Sequence, residues 1–459
     1  MINLKPYAKE HSSQPVAVFG LGLSGLSAVK ALIEAGFSVT AGDDKQENCQ
    51  KAKDLGASIK DLSSIDLSDF HFLVLAPGVP YAFEPHPVVL NAQKHNLEII
   101  GDIELLDRSD HGKKTIGITG TNGKSTTTAL MTHVLKECGL KAEMAGNIGV
   151  PVCDLNIDDL DIIVLEISSF QLDLCPRYRP DISILLNITP DHIDRHGSLL
   201  NYIEAKEIIL EGEGIGIVGI DGDYTQESFN KAFFKGKRKM IPISVKLEVT
   251  EGIFVHDNKL FENHGGKNTE VFEINNFETL KGSHNYQNIA AVYAVTNSLK
   301  INPDRVKESF SSFKGLTHRQ YKIGQKDKVV FINDSKATNA EATARALASY
   351  KNIHWIVGGR AKEGGLNGLE IFKDKIIKAY LIGESSDEFA VWLKKNNFSF
   401  QKCKTLDKAV SQSYKEAKKN SEDSVVLLSP ACASFDQYTS FEKRGEAFTE
   451  KVLSIIGSQ

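Results

Sequence analysis

Cysteine is scarce in this chain and poorly spaced for chemistry. Its six residues, Cys49, Cys138, Cys153, Cys175, Cys403 and Cys432, form no C-x-x-C pair. Neither a disulfide framework nor a zinc site follows, and a reducing cytoplasm is the expected compartment. Long apolar runs are missing too, none approaching the roughly 18–20 uncharged residues of a membrane span. Residues 1–14 are polar and lack the apolar stretch of a secretory leader. Basic residues form no clustered stripe, and the formal net charge is −5. Nucleic acid and anionic membrane are therefore not expected as primary partners. Tandem repeats, low-complexity tracts and Ser/His/Asp or Cys/His nucleophile groupings are likewise absent from the sequence.

What is present reads as an ordinary globular protein, 25% charged and 41% hydrophobic. At 459 residues it exceeds one core, so two to three domains are expected. The most informative stretch is Thr119-Gly120-Thr121-Asn122-Gly123-Lys124-Ser125-Thr126. It follows the apolar run 115–118 and opens a helical pattern with Leu130, Met131, Val134 and Leu135 on one face. Strand, Gly-rich turn and helix form a phosphate cradle, with backbone N–H groups and the helix N-terminus facing the anion. Lys124 is placed to neutralise phosphate and Ser125 to hold Mg²⁺. The strict G-x-x-x-x-G-K-[ST] pattern wants glycine at 118, where this chain has isoleucine.

Nearer the N-terminus, the strand 16–19 runs into Gly20-Leu21-Gly22-Leu23-Ser24-Gly25, then a helix, then a strand over 37–41 ending at Asp43-Asp44. This is the dinucleotide fingerprint of a Rossmann-like fold. The same turn serves NAD or another nucleotide, and the acid can take any ribose or uracil edge. A strand over 72–76 breaks at Pro77-Gly78, and residues 102–112 read as the link to the next domain.

Beyond the phosphate loop, the apolar run 161–165 ends in Glu166, which can hold Mg²⁺ or simply face solvent. A strand over 182–186 precedes Asn187…Asp191-His192. A helix over 198–211 sets Lys206 in the middle of an apolar stripe with Leu199, Ile203 and Leu210, while Glu204, Glu207 and Glu211 take the other side. A lysine there either has a partner or snorkels to the surface. Residues 215–275 read as short strands and polar loops without legible chemistry. Gly282-Ser283-His284-Asn285 opens an Ala-rich helix, with Ser283 as its expected N-cap. After a boundary at 315–319, β/α alternation resumes with strands at 329–332, 353–357 and 425–428 and a helix over 340–348. The expected architecture is α/β in three domains: a Rossmann-like domain (1–107), a central P-loop-type ATPase domain (108–315) and a doubly wound C-terminal domain (316–459).

Together these stretches resemble the Mur ligases, ATP-dependent amide-forming enzymes of peptidoglycan precursor synthesis. The variant loop Thr-Gly-Thr-Asn-Gly-Lys-Ser is that family's own. Glu166, Asn187…Asp191-His192, Lys206, His284-Asn285…Asn288 and His318-Arg319 fall in its order. Gly146-Asn147-Ile148-Gly149, the stretch 165–172, Asn333-Asp334-Ser335-Lys336-Ala337-Thr338-Asn339 and the stretch 428–436 are most similar to the branch that adds D-glutamate to UDP-N-acetylmuramoyl-L-alanine. The Asp-Asn-Pro-Arg motif of the diaminopimelate- or lysine-adding branch is absent. Departures are Ala76, where a hydroxyl is common, and extra charge in Gly358-Gly359-Arg360-Ala361-Lys362-Glu363.

The resemblance implies a two-step ligation through an acyl phosphate, with ATP and two Mg²⁺ ions. It assigns Gly120, Thr121, Asn122, Gly123, Lys124, Ser125, Thr126, Asn285, Arg319 and Asp334 to ATP. Ser125 and Glu166 would hold one Mg²⁺, and His192 with a carboxylated Lys206 the other, so that Lys124, Glu166, His192 and Lys206 form the catalytic set. Leu23, Ser24, Asp43, Gly78 and Asn147 would face the UDP-sugar. Lys336, Thr338, Lys362, Ser434 and Phe441 would shape the D-glutamate pocket. A cytoplasmic monomer acting on small molecules is expected. The alternatives are a Mur-type or folylpolyglutamate-type ligase with another acceptor, a nicotinamide oxidoreductase resting on the first motif only, and a non-catalytic NTP-binding module.

Overall fold

The computed structural model describes residues 1–109, 111–274, 277, 279–280, 283–362 and 364–457. Gly282 and Glu363 lie outside the described residues, as do the side chains of Ser283 and His284. The chain divides into two compact units, Met1–Phe313 and Lys314–Gln459.

The first unit begins with a parallel sheet of β1 (Val16–Phe19), β2 (Val39–Gly42), β3 (Ser58–Ile59), β4 (Phe72–Leu75) and β5 (Glu98–Ile100), in the order β3-β2-β1-β4-β5. Every residue of β1, β2 and β4 is buried, as expected for parallel strands covered on both faces. The turn after β1 requires glycine. Gly20 has φ +88°, and a Cβ on Gly25 would lie 2.0 Å from the Gly20 carbonyl oxygen. The predicted link at 102–112 is instead largely a helix, Asp102–Arg108, buried along most of its length. Its Glu104 accepts hydrogen bonds from the backbone N–H of Arg177 (3.2 Å) and Tyr178 (3.0 Å). Partners more than seventy residues away hold it, which local pattern cannot reveal.

The second sheet of this unit holds β6 (Lys114–Thr119), β7 (Ala142–Gly146), β8 (Ile162–Glu166), β9 (Ile182–Leu185), β10 (Gly214–Gly219), β11 (Arg238–Ser244), β12 (Gly252–His256), β13 (Lys259–His264) and β14 (Lys267–Glu273). Their order is β14-β13-β12-β11-β10-β9-β6-β8-β7, parallel except for the last hairpins β12-β13-β14. β6 lies between β8 and β9, with Ile118 opposite Glu166 and Thr119 opposite Leu185. That register brings the loops after all three strands to one edge. The stretch 215–275 is not only strands and loops: it contains the helix Asp223–Lys235. One apolar cluster runs through both sheets, from Val16, Val18 and Val74 to Ile163, Leu165 and Tyr202. The other face of the second sheet packs Ile116 and Ile118 against Leu130, Val134, Ile289 and Val292.

The second unit is one sheet of β15 (Tyr321–Lys326), β16 (Val329–Asn333), β17 (Ile353–Gly358), β18 (Ile376–Ile382), β19 (Phe400–Lys404) and β20 (Ser424–Leu428). The order is β15-β16-β20-β17-β18-β19, parallel except for the edge strand β15. Separate apolar clusters cover its two faces, one around Trp355 and Phe389, the other around Phe331 and Phe448. It is the doubly wound unit that the strand pattern predicts.

Candidate active site

The phosphate loop explains its own missing glycine. β6 continues through Thr119, so Ile118 is a buried strand residue and the turn opens only at Gly120, with φ +150°. Gly123, at φ +86°, precedes the helix Lys124–Glu137, and a Cβ there would lie 2.6 Å from Asn288 Oδ1. The loop is held from outside. Asn187 accepts from Thr121 N–H through its carbonyl (2.8 Å) and from Asn122 N–H through its side chain (2.8 Å). Thr127 Oγ1 donates to Asn288 Oδ1 at 3.0 Å, and Asn288 Nδ2 donates to Asn285 Oδ1 at 3.1 Å. The Lys124 ammonium folds over the loop, donating to the carbonyls of Gly120 (2.7 Å) and Thr121 (2.9 Å). Ser125 is buried in the first turn and Thr126 follows it.

Glu166 ends β8 as a buried side chain rather than a solvated one. Its Oε1 accepts from Asn147 Nδ2 at 2.7 Å, while Oε2 has no partner among the described residues. Lys206 does not snorkel. Its side chain is 1% exposed, on the helix Leu199–Glu207 capped by Ser198. Nζ donates to the Gly120 carbonyl (3.0 Å) and lies 4.7 Å from the centre of the Tyr202 ring. Burial, and then the nearby Lys124 charge, hold this amine well below the usual lysine range. Tyr202 OH bonds Thr121 Oγ1 at 2.9 Å, tying the same helix to the loop. His192 sits at φ +51° with an exposed ring against Phe170 and beside Asp191.

The UDP-sugar candidates line the edge of the first sheet. Leu23 is 84% exposed at the start of its helix, Ser24 is half-buried and Gly78 is exposed. Asp43 is already engaged: Oδ2 accepts from Leu21 N–H (2.5 Å) and Oδ1 from Lys45 N–H (2.7 Å), so it shapes the glycine turn. Asn147, assigned to the sugar, is the residue that binds Glu166.

In the second unit the candidates gather after β16 and β20. Asp334 accepts from Ser429 Oγ (2.7 Å) and Gln320 N–H (3.1 Å), and burial pushes its carboxyl up to about 7. His318 is buried, its Nδ1 3.0 Å from Asn333 Nδ2, and the adjacent Arg319 is exposed. Lys336 Nζ lies 5.8 Å from the Phe441 ring centre, Thr338 is half-buried nearby in sequence, and Ser434 is buried with no partner for Oγ among the described residues. Lys362 lines a cavity of about 340 Å³ that it shares with Glu388 and Trp392.

The comparisons with known proteins agree on one family. The profile described as "Mur ligase middle domain" matches residues 118–296, and "Mur ligase MurD-like, N-terminal domain" matches 14–101. UDP-N-acetylmuramoylalanine–D-glutamate ligase of Rhizobium johnstonii is 42% identical over 449 residues, covering 96% of this chain and 95% of that protein. The chain belongs to the Mur ligase family. The ligase of the same name from Nitrobacter winogradskyi is 41% identical over 456 residues, 97% of each chain. Among solved structures, UDP-N-acetylmuramate-alanine ligase MurC of Thermotoga maritima aligns with a TM-score of 0.57 at 17% identity, over 96% of this chain and all of that one. MurF of Acinetobacter baumannii aligns with a TM-score of 0.56 at 16% identity, over 84% and 86%. At such identities these two speak for the Mur ligase fold.

For a Mur ligase, two side chains escape the sequence reading. Arg195 donates to the carbonyls of Pro77, Gly78 and Val79 (3.4, 3.1 and 3.1 Å) and lies 4.6 Å from the Phe170 ring centre. It fixes the second turn of the first sheet to the second sheet. His196 is buried between Phe170 and Tyr202, with Nε2 3.0 Å from Ser169 Oγ. The sequence signal was the run Asp191-His192-Ile193-Asp194-Arg195-His196, dense in chargeable residues for a loop. No three His, Cys, Asp or Glu side chains gather as a ready-made metal site among the described residues. The orphaned Glu166 Oε2, opposite Ile118 on the strand that runs into the loop, is a donor of the type a hard cation takes.

Proposed function

We propose that this Mur ligase joins D-glutamate to UDP-N-acetylmuramoyl-L-alanine, driven by ATP, in cytoplasmic peptidoglycan precursor synthesis, and that it acts as a monomer. The observation that carries the reading is 41–42% identity, over nearly the whole of both chains, to ligases of that name. The alanine carboxylate attacks the ATP γ-phosphorus and ADP leaves, giving an acyl phosphate. The D-glutamate amine adds to the acyl carbon, loses a proton, and the tetrahedral intermediate expels phosphate to leave an amide. Such transfer depends on positioning and charge neutralisation rather than a protein nucleophile.

On this reading residues 1–107 hold the UDP-sugar through Leu23, Ser24, Asp43 and Gly78, with Asn147 contributed from the following domain. Residues 108–315 hold the ATP phosphates through 120–126 and the rest of the nucleotide with Asn285. Residues 316–459 contribute Arg319 and Asp334 to ATP, and Lys336, Thr338, Lys362, Ser434 and Phe441 to D-glutamate. Ser125 and Glu166 would hold one Mg²⁺, and His192 with Lys206 a second. Bound there, the metal supplies positive charge against the phosphoryl oxygens. Lys206 reaches that role as a carbamate: burial favours its neutral amine, a neutral amine adds CO₂, and the released proton goes to solvent. The resulting anion is an oxygen ligand of the kind Mg²⁺ prefers.

Phosphate release should require ATP, the UDP-sugar and D-glutamate together, and hydroxylamine should trap an activated carboxylate when D-glutamate is omitted. Release that proceeds without the UDP-sugar, or equally well with L-lysine as acceptor, would reject the assignment.

A further inference from the structure

We propose that Gln287 is a positioning residue for the nucleotide, acting through Asn187 to hold the backbone of the phosphate loop in its binding shape. Given that residues 120–126 hold the ATP phosphates, the reading on which this rests, the loop needs support. Gly120 and Gly123 lie at φ +150° and +86° on either side of Thr121 and Asn122, so this short stretch is flanked by residues with wide backbone freedom. A cradle that must be ordered when the anion arrives loses affinity to that ordering.

Asn187, just past the end of β9, meets both polar backbone groups of Asn122. Its Oδ1 accepts from the Asn122 N–H at 2.8 Å, and its Nδ2 donates to the Asn122 carbonyl at 3.1 Å. Its own carbonyl accepts from the Thr121 N–H at 2.8 Å. A little further on, the Thr189 N–H donates to Thr121 Oγ1 at 3.0 Å. The N–H groups of Thr121 and Asn122 are thus engaged with protein, and these residues serve the phosphates by fixing the shape of the loop.

A side-chain amide nitrogen carries two hydrogens. The Asn122 carbonyl takes one from Asn187 Nδ2, and Gln287 Oε1, at 2.8 Å, takes the other. Both polar atoms of the Asn187 side chain therefore have fixed partners, and rotating the amide would break three hydrogen bonds at once. Gln287 lies on the helix Ser283–Ser298, whose Asn288 accepts from Thr127 Oγ1 at the start of the loop's own helix. It also needs a glycine beside it, since a Cβ on Gly219 would lie 2.4 Å from Gln287 Nε2. One helix thus grips the phosphate loop at both ends, through Asn288 directly and through Gln287 by way of Asn187.

The test is calorimetric binding of ADP with Mg²⁺ to the full-length wild type, Gln287→Leu, Asn187→Ala and the double variant. Gln287→Leu keeps most of the side chain's bulk and removes the acceptor. It should weaken ADP binding about fivefold, the effect of one lost hydrogen bond, with KM for the UDP-sugar and the melting temperature unchanged. In the Asn187→Ala background it should add nothing, because the group it holds is gone. Hydrogen exchange in a peptide covering residues 119–124 should quicken in Gln287→Leu while that of residues 289–296 does not, a readout that needs no second variant. Unchanged ADP affinity or unchanged exchange in Gln287→Leu overturns the proposal. So does a full effect that persists without Asn187, since Gln287 would then meet the nucleotide itself. A wild type that binds no ADP rejects the reading of the loop, and the proposal with it.

Discussion

Lys206 is the residue whose surroundings say most about the chemistry. A side chain 1% exposed, with its nitrogen 3.0 Å from the Gly120 carbonyl and close to a second lysine, is an unfavourable place for an ammonium ion. Lys206→Ala should therefore lower turnover by about 10³-fold or more while the melting temperature stays level or rises, because a buried amine is removed. Labelled bicarbonate should give a carbamate carbon signal in wild-type NMR spectra that the variant lacks. A fully active enzyme whose amine never takes up CO₂ would refute the carbamate. Lys362 makes a different demand. It is exposed, in a cavity shared with Glu388, so its ammonium is available to a dicarboxylate amine without costly burial. Lys362→Ala should raise KM for D-glutamate about tenfold or more and leave KM for ATP nearly unchanged. Equal changes in both would remove it from the acceptor pocket.

At the scale of elements, the sequence was legible where a short pattern suffices. Strand–glycine turn–helix units announce themselves because burial on both faces demands continuous apolar runs and the turns demand glycine. It was illegible where the stabilising partner is remote. The stretch 102–112 reads as a link, yet its helix Asp102–Arg108 buries Glu104 against the backbone of residues 177 and 178. Asp43 carries a second engagement that the fingerprint does not announce, since its carboxylate accepts from Leu21 N–H within the glycine turn. β17 offers a test of such hidden coupling. His354 is buried, with Nδ1 3.0 Å from Tyr380 OH and Nε2 3.2 Å from Asn420 Nδ2, and burial lowers its pKa from 6.5 to about 4. The unfolded chain takes up this proton more readily than the folded one. The stabilising contribution is thus complete above about pH 6.5 and is lost as pH falls toward about 4, by a few kcal/mol at most. His354→Gln should flatten the fall in melting temperature over that window. An identical pH profile in wild type and variant would show that other groups dominate acid unfolding.

For the whole molecule, the arrangement of apolar clusters separates what can fold alone from what cannot. The clusters on both faces of the third sheet draw all their residues from within Lys314–Gln459. The first sheet has no such independence. Val16, Val18 and Val74 share one cluster with Ile163 and Leu165 of the second sheet and with Val152 and Tyr202 of helical segments packed there, and Arg195 bonds three carbonyls of the turn after β4. Cutting after residue 107 would expose that shared face, and each large apolar side chain returned to water costs about 1.5–3 kcal/mol. Against a total stability of about 5–15 kcal/mol, the loss of a few such side chains is decisive. A fragment of residues 314–459 should unfold cooperatively in urea with a single sharp midpoint, while a fragment of residues 1–107 should show no cooperative transition and should bind a dye specific for exposed apolar surface. The proposed functional division into three parts and the energetic division into two are then distinct properties: the proposed ligand sites follow the sheet edges, and cooperativity follows the shared core. Cooperative unfolding of the fragment 1–107 at a midpoint close to that of the intact chain would break this distinction, because it would mean that the cluster joining the two sheets contributes little to holding either together.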